Sequence, residues 1–487
     1  MIDKMSTPRQ SSRKQLINLK RLLFRKSFLF QLFRFPSHSS EQRPATNDHQ
    51  LWIDYWRHVG QPWRTEPEVD KKRQAYLTER RSIIPDIQQG TYPFKNIKLS
   101  RADVEWLIAR HENKEELAVY NDEIQRWDGE IDLRGADLRH VDLRNLPLMC
   151  IRGGLTWDEW RIATEEQRIK ASVSMQSADL SWAHLEKATL SGVQLSGANL
   201  SWAHLEKADL YGANLDEAIL RYTQLNGAVL RRAHLKGANL FRANLEGANL
   251  SFVNLAGADI RSAFLDNATT LRDAIPSDTR HGFMLVADVR WSDVNLAVIR
   301  WPQEKWSKTL ILGDEFEARK SKTLEGKRKA HTRRIVEYET AMRANRQLAT
   351  ELNDQGLSEL ADHFSYRAKL LQRVVWRRRM RFLKYIFSWF LYLIAGYGYR
   401  PLRSVMWYLF IIFGFAVAYL ALGHLPPFPD AFVFSVMSFH GRGFFPNLNG
   451  ETNLHNPLVV LAAFEAIIGL FIEISFIATF TQRYLGK

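Results

Sequence analysis

Leucine recurs at every fifth position through the middle of this chain. The register holds without a slip from Leu180 to Leu255, and Ile260 and Leu265 extend it to 18 consecutive pentads. Alanine stands two residues before most of these leucines, often with Asn or Asp between them, as in Ala198-Asn-Leu. A spacing of five fits neither the 3.6-residue period of a helix nor the two-residue period of a strand. The pattern therefore predicts a solenoid in which each pentad forms one side.

An exact duplication fixes the length of one coil. The octapeptide Ser-Trp-Ala-His-Leu-Glu-Lys-Ala begins at Ser181 and again at Ser201, an offset of 20 residues or four pentads. A four-sided coil stacks each copy on the other at about the 4.8 Å spacing of neighbouring strands. Leucine fills the interior, and alanine is small enough to share it.

The same spacing extends beyond the central pentads in both directions. Leucines at 133, 138 and 143 precede them, and Val289, Val294 and Ile299 follow in a shifted register. We therefore expect the solenoid to occupy 129–301, with an insertion at 144–177 that contains one helix from Thr156 to Ser174.

These pentads resemble the pentapeptide-repeat family, whose fold is a right-handed quadrilateral β-helix. The resemblance implies that fold for 129–301. Stacked repeats present extended faces, so we expect a rigid spacer or a docking surface for a protein partner. Some family members imitate duplex DNA with a long acidic rod. Acidic and basic residues are balanced over 131–270, so we expect neither DNA mimicry nor a nucleic-acid partner.

The duplicated octapeptide places His184 beside His204 and Trp182 beside Trp202. A metal site with two histidines needs a third ligand, and the sequence shows none at a matching spacing. We therefore interpret the pair as a copied surface pentad and expect neither a metal nor another cofactor. The chain also shows no nucleophile–base set or phosphate loop, so we do not expect an enzyme or catalytic residues.

Two long apolar segments lie near the C-terminus. The 20 residues from Ser404 to Gly423 carry no charge, which at 1.5 Å per residue spans about 30 Å, the thickness of a bilayer core. A second segment runs from Pro457 to Phe480 and is interrupted only by Glu465 and Glu473. Between them, Asp430 to Met437 forms an apolar segment that is too short to span. The sequence predicts a membrane helix, a short descending helix and a second membrane helix.

This arrangement resembles the two-helix pore module of tetrameric potassium-type channels, whose filter reads Thr-Val-Gly-Tyr-Gly. The predicted filter segment here comprises Ser438, Phe439, His440, Gly441, Arg442 and Gly443. The two glycines fall on the filter glycines, whereas phenylalanine, histidine and arginine replace the other three residues. Potassium selectivity therefore does not carry over. A ring of Arg442 favours anions, while the C-terminal end of the pore helix favours cations, so the permeant ion stays open.

The second span carries three residues of interest. Glu465 lies about 12 Å from its beginning, and an ionisable residue at such depth is usually paired. We expect Glu465 to pair with Arg442 or with the pore-helix backbone; a surface-facing or protonated carboxyl is the alternative. Gly469 shares that face and is expected to bend the helix during gating. Glu473 is expected to face an inner vestibule and attract cations.

Charge distribution predicts the orientation of these spans. The formal net charge is +14, with Lys and Arg clustered before the first span and after the second, and Arg442 the only one between them. The positive-inside rule then places both termini in the cytoplasm of a multi-pass protein in a plasma membrane of the bacterial inner-membrane type. The single Cys150 excludes an intrachain disulfide and fits a reducing compartment.

Four further segments complete the predicted organisation. Residues 1–50 form a basic lead that is either an amphipathic helix on the inner leaflet or a disordered tail. Residues 51–128 form a small helical cytoplasmic region, and 314–384 form an αα-hairpin similar to a single tetratricopeptide-type unit. Residues 385–400 are expected to form an interfacial helix, with a third span as the alternative. The pore module occupies 401–487.

The sequence leaves two functions open. The first is a subunit of a tetrameric ion channel, in contact with membrane lipid and permeant ions, with cytoplasmic repeat arms for sensing or docking. The second is a membrane-anchored scaffold whose pore-like hairpin does not conduct. Retention of both glycines supports the channel, and the altered filter supports the scaffold.

Overall fold

The computed structural model of the protein describes residues 43–44, 48–112, 120–121, 126–127, 131–302, 310–323, 325–421, 428–441 and 457–481. The helices are α1 (His49–His58), α2 (Lys71–Arg81), α3 (Arg101–Glu112), α4 (Trp157–Ile162), α5 (Glu165–Ala171), α6 (Gly313–Arg319), α7 (His331–Asp354), α8 (Ser358–Arg378), α9 (Phe382–Ala395), α10 (Pro401–Ala421), α11 (Phe428–Phe439) and α12 (Pro457–Phe480). Two short antiparallel pairs join β1 (Tyr120–Asn121) to β2 (Arg126–Trp127) and β3 (Ser277–Asp278) to β4 (Gly282–Phe283). Most of the predicted basic lead lies outside the described residues.

The pentads form a β-helix-type coil held together by isolated parallel bridges rather than by long strands. Four successive bridges, five residues apart, each join a residue to the one 20 positions later: Asp179 to Asn199, His184 to His204, Thr189 to Asp209 and Gln194 to Asn214. The leucines and most of the preceding alanines are buried inside. Each coil therefore has the four sides that the duplicated octapeptide predicts.

The insertion differs from the predicted 144–177. Pro147 and Arg152 bridge to His184 and Thr189, so residues up to 152 belong to the coil. The inserted segment holds two short helices, α4 and α5, instead of one. Thr164 explains the break, because its side chain accepts from the Gln167 backbone N–H as the N-cap of a new helix.

The register shifts near the end of the coil, as Val289, Val294 and Ile299 indicate. Asn244 still bridges to Phe264, at an offset of 20, but Asp259 bridges to Leu285, at an offset of 26. One extra residue near Thr269 and the β3–β4 hairpin take up the difference. The three shifted side chains are buried.

Both ends of the coil are covered. At the first end, the backbone N–H of Leu99 donates to the Asp137 carbonyl, and Phe94, Leu99 and Leu107 join the solenoid core. At the last end, the α7–α8 hairpin contributes Leu348, Leu352 and Phe364 to the same core. Such covers shield coil edges that another chain could otherwise extend.

Among the described residues, two helical segments are long and apolar enough to cross a membrane, Leu402–Ala421 in α10 and Pro457–Ala478 in α12. The predicted interfacial helix at 385–400 overlaps α9, which begins earlier at Phe382 and ends at Ala395; at 14 residues α9 is shorter than a span, and its interfacial location stays a prediction. A tight turn at Gly396–Gly398 joins it to α10, and all three of its residues have positive φ.

Candidate functional site

Helix α11 packs against both long helices of the C-terminal region. Near its beginning, Ala431 packs with Tyr419 of α10 and Leu458 of α12. Near its end, Phe439 packs with Ile412 of α10 and Ile472 of α12. The two long helices therefore hold the short helix along its whole length.

Glu465 lies at the centre of this packing and has no exposed surface. Its Oε2 accepts a hydrogen bond of 2.6 Å from the Tyr419 hydroxyl, and its Oε1 contacts the Ser435 Oγ. The Ser435 Oγ also lies 2.8 Å from the Ile412 carbonyl oxygen. Neither hydroxyl partner was predicted from the sequence, although each is a polar side chain within an apolar helix. Arg442, one partner expected for Glu465, lies outside the described residues.

The serine has only one proton for two acceptors. If Ser435 donates its proton to the Ile412 carbonyl, its contact with Glu465 is a hydrogen bond only when Glu465 is protonated and donates to the Ser435 oxygen. The resulting series of hydrogen bonds runs from Tyr419 through Glu465 and Ser435 to Ile412, and each group donates its proton to one acceptor. A buried polar network is stabilising only when all its members are satisfied in this way.

Gly469 brings α12 against the end of α11. A Cβ at this position would lie 2.1 Å from the Phe439 carbonyl oxygen and 3.1 Å from the ring of Phe439. Only glycine therefore permits this approach of the two helices. The described contact gives Gly469 a packing role, and its expected bending during gating stays a prediction.

Glu473 contacts the predicted filter segment. Its carboxylate pairs with Nδ1 of His440, whose Nε2 lies 3.0 Å from the Tyr408 hydroxyl. These three side chains connect α12, the residue after α11 and α10. Both members of the His440–Glu473 pair remain partly exposed, at 36% and 33% of their side-chain surfaces.

The structure describes four of the six predicted filter residues. Ser438 and Phe439 are buried at the end of α11, whereas His440 and Gly441 are exposed. Gly441 has a φ of +65°, in the left-handed region that glycine adopts without strain. Arg442 and Gly443 lie outside the described residues.

A joint of tyrosines and arginines links the α7–α8 hairpin to the apolar helices. The Tyr366 ring of α8 packs against Tyr397 and Tyr399 at 6.4 and 5.8 Å. Arg373 and Arg403 lie over the Tyr392 ring at 4.3 and 5.4 Å. The hydrogen bond from Arg403 lowers the pKa of the Tyr392 phenol.

The solenoid presents an aromatic ladder, which comprises Trp182, Trp202 and Tyr222. Their rings are nearly parallel, with centroids 4.9 Å and 4.1 Å apart. Trp182 and Trp202 are 49% and 41% exposed. Arg242 continues the column, 5.8 Å from the centre of the Tyr222 ring. An exposed apolar column on a rigid face is typical of a contact surface for another molecule.

The family model for pentapeptide repeats matches eight copies within this chain, at 174–210, 194–232, 208–247 and 233–269. No curated protein matches the chain. The predicted repeats are thereby confirmed over this segment.

The chain is also similar to parts of several solved structures. The Rfr23 protein from the cyanobacterium Cyanothece 51142 is 28% identical, with 28% of this chain and 90% of that one covered and a TM-score of 0.18. The protein alr5209 from Nostoc Pcc 7120 is 33% identical, with 22% and 84% covered and a TM-score of 0.13. QnrB1, a plasmid-mediated fluoroquinolone resistance protein, is 15% identical, with 34% and 76% covered and a TM-score of 0.22. Because every TM-score is below 0.5, the assignment of the repeats rests on the family model.

Proposed function

This chain is a pentapeptide-repeat protein, and we propose that its repeats form the cytoplasmic arm of an ion-channel subunit. In this proposal α10 and α12 span the membrane, α11 enters it and turns back, and four subunits surround one pore. The observation that carries the proposal is the wedging of the 12-residue α11 between two helices of spanning length.

Helix α11 ends between its neighbours rather than beyond them. Irregular backbone at membrane depth is tolerated only where protein buries it or where it lines a water-filled cavity. Phe439 is buried, but His440 and the positive-φ Gly441 are exposed at this end. A water-filled cavity shared by several subunits would solvate the chain at this point.

The outer faces of the two long helices also support a membrane location. They expose large apolar side chains, which are more stable in contact with lipid or a neighbouring subunit than in contact with water. On α10 and α12 these include Phe410, Phe413, Phe464, Ile467 and Ile474.

Opposing charges surround the proposed pore entrance. The end of the α11 dipole and the Glu473 carboxylate favour cations, whereas the sequence places Arg442 in the filter. The reversal potential under a salt gradient distinguishes these influences. A cation-selective pore reverses near the potassium potential, and an anion-selective pore reverses near the chloride potential.

Purified full-length protein in planar bilayers with a tenfold KCl gradient tests the proposal. We expect tetramers by native mass spectrometry and discrete single-channel currents. Gly469→Leu should abolish the currents because it forces α12 away from Phe439. Gly414→Leu is the matched control, since a Cβ there meets no atom within 4 Å. Folded protein without currents, both in full length and after removal of residues 1–384, would overturn the channel proposal, as would a purely monomeric protein.

A membrane-anchored scaffold is the second candidate, and the aromatic ladder favours it. In that case a protein partner docks on Trp182, Trp202 and Tyr222 while the C-terminal helices only retain the chain at the membrane. A folded, non-conducting protein that recruits a soluble partner, and loses it on Trp202→Ala, would favour the scaffold over the channel.

A further inference from the structure

Two identical His-Leu-Glu sequences lie on top of each other in the solenoid. His184 bridges to His204 on the next coil, and their rings are parallel within 4° with centroids 4.8 Å apart. Nδ1 of His184 lies 3.0 Å from Oε1 of Glu186, and Nδ1 of His204 lies 3.2 Å from Oε1 of Glu206. One corner of the coil thus carries two imidazoles and two carboxylates.

The second oxygen of each carboxylate is unsatisfied. Within the described part of the chain, Oε2 of Glu186 and Oε2 of Glu206 are shielded from solvent and have no hydrogen-bond partner. A shielded carboxylate oxygen without a partner is costly, and a second carboxylate one coil away adds repulsion. The corner therefore offers two carboxylate oxygens to a cationic partner.

We propose that this corner binds a divalent transition-metal ion, with Zn²⁺ as its probe. His184, Glu186 and His204 supply the ligands, and Glu206 orients the second imidazole. One ligand atom from each of the three lies within 4.8 Å of the others. Imidazole nitrogen and carboxylate oxygen are common zinc ligands, and a carboxylate beside a ligating histidine is a frequent supporting partner. Glu186 was not predicted as a third ligand from the sequence, because it lies in the same copied octapeptide as His184.

The ion requires a modest contraction of the cluster. Tetrahedral ligands about 2.1 Å from zinc lie roughly 3.4 Å from one another, so the longest separation must shorten by about 1.4 Å. Rotation of the histidine side chains supplies this movement, since both are partly exposed, at 44% and 37% of their side-chain surfaces. The same exposure gives the ion a path from solvent and leaves the remaining coordination position to water.

Two protonated imidazoles would also neutralise the carboxylates, and this alternative predicts no metal. The two explanations separate at pH 7.5, where a metal competes well with protons for histidine. Bound zinc would stabilise the folded protein in proportion to its concentration, whereas imidazolium pairs would not respond to zinc. The proposal is independent of whether the C-terminal helices conduct ions.

The test uses the full chain in detergent, stripped with a chelator and titrated with Zn²⁺ at pH 7.5. We expect one high-affinity ion per chain by calorimetry, a zinc-dependent rise in melting temperature and a tetrahedral absorption spectrum with Co²⁺. His184→Ala and His204→Ala should each abolish this binding, and Glu206→Gln should weaken it about 10- to 100-fold.

His234→Ala is the matched control, because His234-Leu-Lys236 has the same place in its pentad but lacks the carboxylate. It should bind zinc as the unsubstituted protein does. Absence of one-to-one binding, or binding that survives loss of both His184 and His204, would overturn the proposal. Melting temperatures without metal identify any variant that fails to fold, and for such a position the asparagine substitution replaces alanine.

Discussion

A Cβ atom on Gly469 would lie 2.1 Å from the carbonyl oxygen of Phe439, so these two residues fix how closely α12 approaches α11. The neighbouring atom belongs to the backbone, which cannot move aside as the end of a flexible side chain can. The contact joins the end of the short helix to the middle of a long one. Any side chain at position 469 must therefore separate the two helices.

Gly469→Ala should destabilise the helical module by about 1–3 kcal/mol, the usual cost of overpacking. Gly414→Ala should have little effect or stabilise α10 slightly, because alanine favours helix and no atom lies within 4 Å of the added carbon. Thermal unfolding of the detergent-solubilised protein, followed by tryptophan fluorescence, measures the difference. Equal melting temperatures for the two variants would contradict the observed packing.

Glu465→Gln should retain nearly the stability of the unsubstituted protein. Glutamine accepts from the Tyr419 hydroxyl and donates to Ser435, as a protonated carboxyl would do. Glu465→Ala leaves both hydroxyls buried without this partner and should cost roughly 1–3 kcal/mol. The loss of stability from Tyr419→Phe should add to that from a distant substitution. It should not add to the loss from Glu465→Ala, because both substitutions remove the same hydrogen bond. A glutamine variant as unstable as the alanine variant would show that Glu465 carries a negative charge.

Asp314→Asn should stabilise the protein at neutral pH. Burial raises the pKa of Asp314 to about 6, although the carboxyl accepts from the Val286 backbone N–H at 2.7 Å. The folded state therefore binds the proton more tightly than the unfolded state. The stabilisation by the protonated Asp314 carboxyl is therefore complete below about pH 4 and is lost as the pH rises through about 6. Asparagine retains a hydrogen-bond acceptor and removes the charge. Removal of the charge should raise the free energy of unfolding by up to roughly 3 kcal/mol at pH 7.5.

Melting temperatures at pH 4.5 and 7.5 check this effect, and the gain should be larger at pH 7.5. Glu315→Gln is the control at the adjacent residue and should change the stability in the opposite direction. The Glu315 carboxylate is buried and accepts from Arg367 at 3.0 Å, so its loss should destabilise the protein at pH 7.5. An Asp314→Asn gain that is the same at both pH values would refute the assigned titration.

Gln355→Ala should open the last edge of the solenoid. The Gln355 side chain accepts from the Leu296 backbone N–H and donates to the Val294 carbonyl, each at 2.7 Å. It thereby replaces the backbone of a further coil. We expect a loss of about 1–3 kcal/mol and faster aggregation on heating, measured by light scattering. Asp354→Ala changes the exposed neighbour and should have neither effect.

The solenoid was predictable because its interior repeats one local rule. Leucine and alanine occupy equivalent positions in the pentads, so their period gives the length of one side. The duplicated octapeptide then gives the four sides and the stacking of Trp182 on Trp202. The insertion was less predictable, since helical composition runs on from Thr156 while a single capping threonine, Thr164, divides it. Local caps of this kind outweigh average composition.

The helical region was predictable in its lengths but not in its contacts. The second span agrees with α12 at both ends, Pro457 and Phe480. The partners of Glu465 depend on how three helices rotate about their axes, and a run of apolar residues leaves that rotation undetermined. Likewise, the side chains between Val69 and Ile108 that join the solenoid core were not predicted, because such packing requires apolar surface of suitable shape rather than a motif.

One continuous core extends from Val69 to Phe364 through every coil of the solenoid. Mechanically, the described repeats and the segments that cover their two ends therefore form one packed body. Beyond this core, α8 ends and the chain turns at Met380, whose φ is +56°, before α9 begins. Any change of angle between this body and α9 would therefore involve the turn at Met380 and the contacts of Tyr366 with Tyr397 and Tyr399.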